Sequence, residues 1–340
     1  MKRSISRSRA CAGFCSGGGP EPDYREAKGK STLPAALALS HFPTFSKSCI
    51  LLPMGRKDGK RVKDADPMYT IVPYIMDKRY DAMNMINLDV PIDPIKDYIK
   101  AKRAEGKYVS HLSIVIATYL RTIAHFPLLN RFIVNCKIYQ RNAIDCAMVV
   151  LKDEDGDMEG TMSKVRFDQE DNIFTVNEKM NSYIEKNREA KNKNSTDKLI
   201  KQLLSFPGLA RFGVWLFKKM DKHGLLPAKI IDASPFHTTF TITNLASLRT
   251  NYIYHHIYEF GTTSVFFAMG NTREVPFKTK DGVVFKTCLP LGVVMDERIC
   301  SGHYFVDAFK CMKRYFEKPE LLEKTFSDEI AEKESLEEKA

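Results

Sequence analysis

This 340-residue chain has no long apolar run, and its most compact apolar stretch, Leu33 to Leu39, is too short to cross a bilayer. No secretory leader is expected either, because the basic N-terminus is followed by small and polar residues, Ala10 to Gly19. The cysteines (Cys11, Cys15, Cys49, Cys136, Cys146, Cys288, Cys300 and Cys311) contain no CxxC pair and no spacing with histidine that suits a metal. They read as reduced thiols in a cytoplasmic protein, with no metal site expected. Cys11-x-x-x-Cys15 is too weak a pattern to change that reading. No internal repeat occurs. Nor is there a stripe of one charge. The formal charge is +10, but the first fifty residues hold eight Lys/Arg against three acidic residues, so half the excess lies there. Elsewhere the two signs interleave, which argues for an ordinary solvated surface and against a nucleic-acid partner.

What is present is enough apolar material, 44% of the chain, for one large core or two ordinary ones. Residues 1–53 mix Arg/Ser, a glycine triplet and prolines without periodicity, and read as a disordered basic extension, with Met54 as an alternative start. Residues 54–325 read as one α/β unit, and 326–340 as an acidic Glu/Lys-rich tail, helical at most at its beginning.

Within that unit Ser110 is placed to cap a helix whose Leu112, Val115, Ile116, Tyr119, Leu120 and Ile123 recur at helical spacing up to Pro127. Arg131 to Gln140, Ala143 to Leu151 and Thr161 to Phe167 read as strands. Thr175-x-x-Glu178 has the capping-box pattern and opens a second helix. Residues 199–226 carry Leu203, Phe206, Phe212, Trp215, Phe217 and Met220 among Lys201, Arg211, Lys218, Lys219 and Lys222. This composition fits an amphipathic helical hairpin packed on its own domain or a neighbour. A membrane-surface or lid reading is the alternative, because basic residues rim an aromatic face.

After Phe236 the chain is rich in strand patterns: His237 to Thr243, Ile253 to Tyr258, Ser264 to Met269, Val283 to Cys288 and Leu291 to Asp296, with Asp281-Gly282 as a hairpin turn. A charged turn, Glu297-Arg298-Ile299-Cys300-Ser301-Gly302, leads into an amphipathic run ending at Lys318-Pro319-Glu320-Leu321-Leu322. Five landmarks in this order, beginning with Thr239-Phe240-Thr241-Ile242-Thr243-Asn244-Leu245, resemble the catalytic domain of the 2-oxoacid dehydrogenase dihydrolipoyl acyltransferases, and in spacing chloramphenicol acetyltransferase. The resemblance covers roughly residues 68–323 and is strongest after 236.

That resemblance implies an α/β (α+β two-layer) fold, a mixed sheet with helices on one face, assembled as a homotrimer. It also implies a channel between subunits for coenzyme A, as acyl-CoA, and a small acyl acceptor bearing a thiol, hydroxyl or amine. The family's His-x-x-x-Asp-Gly signature falls on residues 297–302, where Glu297 stands at the His position and Ser301 at the Asp position. The family's oxyanion donor maps onto Thr243, whose alternative reading is a plain β-branched strand residue. His255 and His256 compete with Glu297 for the role of base. If they lie on a strand, only one can face the channel; their alternative is a surface or sheet-packing pair. His303 is expected to face away from the reacting centre, and His237 and His111 to be structural. No lipoyl-bearing segment is recognisable. Three functions therefore stand: CoA-dependent acyl transfer, a trimeric acyl-CoA-binding or interaction protein that has lost its base, and a membrane-associated interaction protein acting through 199–226.

Overall fold

A computed structural model describes residues 55–154, 157–189, 205 and 208–337. The expected extension at 1–53 lies outside them, as does most of the first half of the expected 199–226 hairpin. Short strand β1 (Gly59–Arg61) and helix α1 (Pro67–Ile75) lead to β2 (Met83–Pro91) and α2 (Asp93–Ala104). Helix α3 (His111–His125) begins where Ser110 Oγ accepts the Ser113 N–H at 3.0 Å. Every residue from Leu112 to Ile123 is buried, so α3 is enclosed on all sides rather than facing the core along one stripe.

Arg131 to Gln140 is not one strand but a hairpin, β3 (Arg131–Val134) and β4 (Lys137–Arg141), turning at Asn135 and Cys136. Both turn residues have positive φ, 51° and 54°, the conformation a two-residue hairpin loop requires to match strand twist. Strands β5 (Ile144–Glu154) and β6 (Asp157–Phe167) follow, then α4 (Ile173–Glu189). Here the capping box at Thr175 is not used. Asn172 Oδ1 accepts the N–H groups of Phe174 (3.0 Å) and Thr175 (3.1 Å), which starts the helix earlier.

After α5 (Leu209–Lys222) and α6 (Ala228–Ala233) come β7 (Phe240–Asn244), β8 (Val265–Met269), β9 (Arg273–Thr279), β10 (Gly282–Asp296), α7 (Gly302–Glu317) and α8 (Phe326–Glu337). A mixed sheet runs β2-β10-β8-β7-β5-β6, with β9 also on β10. β7 is parallel to β5 and β8, and the remaining pairs are antiparallel. The two strands expected at 283–288 and 291–296 are one, despite Pro290. The proline is tolerated because it falls where β10's neighbour changes from β9, which ends its pairing at Cys288, to β8, which begins at Leu291.

The main core lies on one face of the sheet, where Phe240, Ile242, Val265, Phe267, Val293 and Met295 meet α3, α4 and α7. Tyr119 of α3 contacts Phe240 and Phe267 edge-on, with ring centres 4.9 and 4.7 Å apart. This mixed α/β sandwich with helices on one face is the expected fold class. On the opposite face Ile257 packs with Phe266 and Val294. Residues 251–258 are not a strand: they cross that face as extended backbone without ladder pairing. Gly292 and Gly270 permit this approach, since a Cβ at either would overlap the backbone of Ile253 or Tyr252.

The segment expected as an acidic tail contains α8, tied to the body by Glu329. Its carboxylate accepts from Arg121 Nη1 (2.6 Å) and from Tyr315 Oη (2.7 and 2.9 Å). Burial alone would raise this carboxyl, but hydrogen bonds from His125, Tyr315 and Arg121 outweigh it and bring the pKa down to about 2. A lowered folded-state value contributes stability above the unfolded value near 4.3, and that contribution is lost as pH falls towards 2. Glu329→Gln is therefore expected to cost about 2 kcal/mol at neutral pH, allowing for solvent screening. Urea unfolding at pH 7 and pH 3 should show the gap between wild type and variant shrinking in acid; a gap that stays constant would remove Glu329 from the pH response.

Candidate active site

In β7 the pleat sends Phe240 and Ile242 into the core, and Thr241 and Thr243 to the opposite face. Thr243, half-buried, is paired with Ala268, and Ala268 with Gly292. The 251–258 segment crosses this same face. His255 lies flat on Phe266, centroids 4.2 Å apart and planes 8° apart, and Phe266 is the partner of Thr241. Thr243 is the next residue on that face, about 7 Å further along. The fold thus gathers Thr243 and His255 on one side of one sheet.

Because residues 251–258 are not a strand, His255 and His256 do not alternate faces; their rings stack on each other at 4.9 Å. A backbone bond distinguishes them instead. His255 Nδ1 is 2.9 Å from the His256 carbonyl oxygen, and a carbonyl can only accept, so Nδ1 carries the hydrogen. In neutral imidazole the lone pair is then on Nε2. His256 is exposed.

Glu297 and Ser301 lie elsewhere. Glu297 follows β10 by one residue and is five residues beyond Gly292, so it stands roughly 16 Å along the strand from the Thr243 row. Its backbone N–H donates to Ala82 O at 2.9 Å, and its Oε2 accepts from Asn84 Nδ2 at 2.6 Å. One protomer does not bring Thr243 and Glu297 together. Ser301 is the N-cap of α7, its Oγ accepting the Tyr304 N–H at 3.1 Å. Next to it, burial pushes the Cys300 thiol up to about 12, unsuited to a nucleophile.

A buried ionic cluster stands just before the Glu297 turn, on residues without a sequence expectation. Asp296, wholly buried, accepts from Arg298 Nε and Nη2, both at 2.7 Å, and lies 3.4 Å from Arg79 Nε. Arg79 also donates to the carbonyls of Tyr258 (2.6 Å), Gly261 and Ile133 (each 3.3 Å). Burial pulls the Arg79 guanidinium below its ordinary value, whereas Arg298, also opposed by burial, is held above its own by hydrogen bonding and attraction to Asp296. This cluster grips both neighbours of Glu297 and the start of the 259–261 turn. The Asp-x-Arg spacing at the end of β10 was a legible signal; Arg79, 217 positions away, left none.

Of the other histidines, His303 is on the surface of α7, 3.3 Å from Asp307. His237 is buried, with Nδ1 2.8 Å from Ser234 Oγ and Nε2 3.2 Å from Asp221. Burial lowers the His111 pKa. Among the described residues no group of three or more His, Cys, Asp or Glu is arranged to hold a metal, and no helix is long and apolar enough to cross a membrane. A cavity of about 540 Å³, bordered by Asn130, Arg141, Phe167 and Glu170, includes neither Thr243 nor Glu297.

Comparison with known proteins shows what this geometry is similar to. Residues 234–323 match the sequence profile of the 2-oxoacid dehydrogenases acyltransferase (catalytic domain), a range that contains Thr243, His255, His256, Glu297 and Ser301. No curated protein matches the chain in sequence. Among solved structures, the cubic core of the pyruvate dehydrogenase multienzyme complex is similar over 83% of this chain and 99% of that one, at 10% identity and a TM-score of 0.50. Dihydrolipoamide acetyltransferase of Azotobacter vinelandii is similar over the same shares, at 11% identity and a TM-score of 0.50. A chloramphenicol acetyltransferase is similar over 76% of this chain and 99% of that one, at 10% identity and a TM-score of 0.45. Residues 234–323 thus match the profile of that catalytic domain, and the chain shares the mixed-sheet fold of the cubic-core structure.

Proposed function

We propose that the protein is a CoA-dependent acyltransferase that works as a homotrimer and moves an acyl group between CoA and a small thiol, hydroxyl or amine acceptor. The observation that carries this reading is that Thr243 and His255 lie on one face of the sheet, one row apart, inside the matched range. Thr243 is a hydroxyl donor for the oxyanion of the tetrahedral intermediate, and His255 Nε2 takes the acceptor's proton. The cubic core named above is an assembly, which supports a multimeric form here. In that form Glu297 of one copy can approach the Thr243 face of another; within a protomer the separation is too large.

An ordinary carboxylate near 4.3 lies about four units below a thiol near 8.5, and an imidazole near 6.5 about two. That difference puts His255 ahead of Glu297 as the base. His256 contributes its carbonyl rather than its ring. Ser301 is a helix cap that shapes the turn.

Calorimetry with CoA and acetyl-CoA, together with thiol release from a panel of acyl-CoAs, tests the reading. Thr243→Val keeps the shape and removes the donor; turnover should fall about one hundred-fold or more while CoA affinity stays, because the bond strengthens only as charge develops. An unchanged rate would take Thr243 out of the mechanism. Binding without turnover in the wild type would favour the trimeric acyl-CoA-binding protein, and absence of binding would dismiss both.

A further inference from the structure

Helix α5 (Leu209–Lys222) meets the rest of the chain through one stripe. Ala210, Gly213, Phe217 and Met220 are partly buried, and Asp221, the one acid in the helix, is buried and paired with Arg56 at 2.8 Å. Arg56 Nη1 also donates to the Asp221 carbonyl at 2.6 Å, so the end of the helix is firmly seated.

The outward face is different in kind. Phe212 is 57% exposed, Trp215 56% and Leu216 39%, at i, i+3 and i+4, with the Phe212 and Trp215 ring centres 5.8 Å apart. Arg211, Lys218 and Lys222 run along one side of this stripe and Lys219, four residues after Trp215, lies within it; all are exposed, and among the described residues none of the four is in an ion pair. The helix therefore presents aromatic rings with three cations along one side and a fourth among them, while its one carboxylate is turned inward. A second copy offering the same face would oppose like charges. A surface that is apolar within and anionic at its boundary satisfies both halves.

We propose that this face of α5 docks on an anionic lipid bilayer, Phe212, Trp215 and Leu216 entering the acyl boundary and the cations lying at the headgroups. Tryptophan belongs at that depth, and basic residues beside an apolar stripe mark helices that lie in the plane of the interface. The binding would hold the acyltransferase fold at a membrane surface without any spanning segment.

Trp215 is the sole tryptophan of the chain, so its fluorescence reports this helix alone. Full-length protein is mixed with vesicles of phosphatidylcholine, or of an equimolar phosphatidylcholine–phosphatidylglycerol mixture, and followed by flotation and by Trp215 emission. The expected result is flotation with the anionic vesicles only, a blue shift on binding, and reversal by salt. Replacing Lys218, Lys219 and Lys222 by Ser should weaken binding by roughly tenfold or more, and Phe212→Ser should reduce the bound fraction with Trp215 still in place. These residues are exposed, so folding is not at stake. The proposal is overturned if neither vesicle floats the protein, or if neutral vesicles bind it equally well. It is also overturned if emission is already blue without lipid and reverts on dilution, which would mean that a second copy covers the helix.

Discussion

Replacing His255 by Gln is expected to reduce acyl transfer by about a hundred-fold to ten-thousand-fold, the usual range for loss of a general base, while His256→Gln keeps most of the activity. The asymmetry follows from one hydrogen bond. His255 Nδ1 faces the backbone oxygen of residue 256, an acceptor that survives any substitution there. That contact holds the proton on Nδ1, leaves Nε2 as the lone-pair nitrogen, and together with the stack on Phe266 fixes the ring plane on the Thr243 face of the sheet. Gln at 255 retains a polar group but has no basic nitrogen. Thiol release across pH, with CoA affinity measured alongside, separates lost chemistry from lost binding. If both histidine variants keep full activity and Glu297→Gln abolishes it, the base is the carboxylate of Glu297, and catalysis then depends on a neighbouring copy bringing it to the Thr243 face.

A second large effect is expected in stability. Asp296→Ala leaves Arg79 and Arg298, 3% and 2% exposed, without their carboxylate. Breaking a buried ion pair from one side typically costs about 3–5 kcal/mol, a large fraction of the total stability of an ordinary domain, about 5–15 kcal/mol. The Arg79 carbonyl contacts at Tyr258, Gly261 and Ile133 and the Arg298 contact to Met76 soften the loss but bring no negative charge. Urea unfolding should show the midpoint moving sharply down with an unchanged slope. Asp296→Asn, which retains shape and some hydrogen bonding, should fall in between. A change under about 1 kcal/mol for Asp296→Ala would mean that the guanidiniums find water in the folded state, and the cluster would no longer explain how the Glu297 turn is held.

Some of this was legible without coordinates because it depends on neighbours in sequence. Ser110 caps α3 through a residue three positions on, and Phe305, Ala308, Met312 and Phe316 line one side of α7 because helical spacing puts them there. The landmarks from Thr239 to Leu322 pointed, for the same reason, to the catalytic-domain profile that residues 234–323 match: each is a local pattern. Where local signals competed, sequence reasoning chose wrongly. Thr175 offered a capping box, but Asn172 already satisfied the first N–H groups. Two strands were expected at 283–288 and 291–296, and the exchange of β9 for β8 at Pro290 lets one continuous β10 run through both.

Periodicity and short spacing in the amino-acid sequence determined helix α3 and the core face of α7, and resemblance to the acyltransferase catalytic domain pointed to the layer architecture and the candidates Thr243, His255, His256, Glu297 and Ser301. Tertiary structure alone decided which candidates meet. The crossing of 251–258 over the open sheet face, permitted by glycines at 270 and 292, sets His255 on Phe266, one row from Thr243, and strand register puts Glu297 out of reach of Thr243. It alone supplied Arg79 to Asp296 and Glu329 to Arg121, since ion pairs spanning some two hundred residues have no signature in local pattern. It also turned Phe212 and Trp215 outward, because an amphipathic helix specifies that it has two faces but only packing against the rest of the chain determines which one is covered.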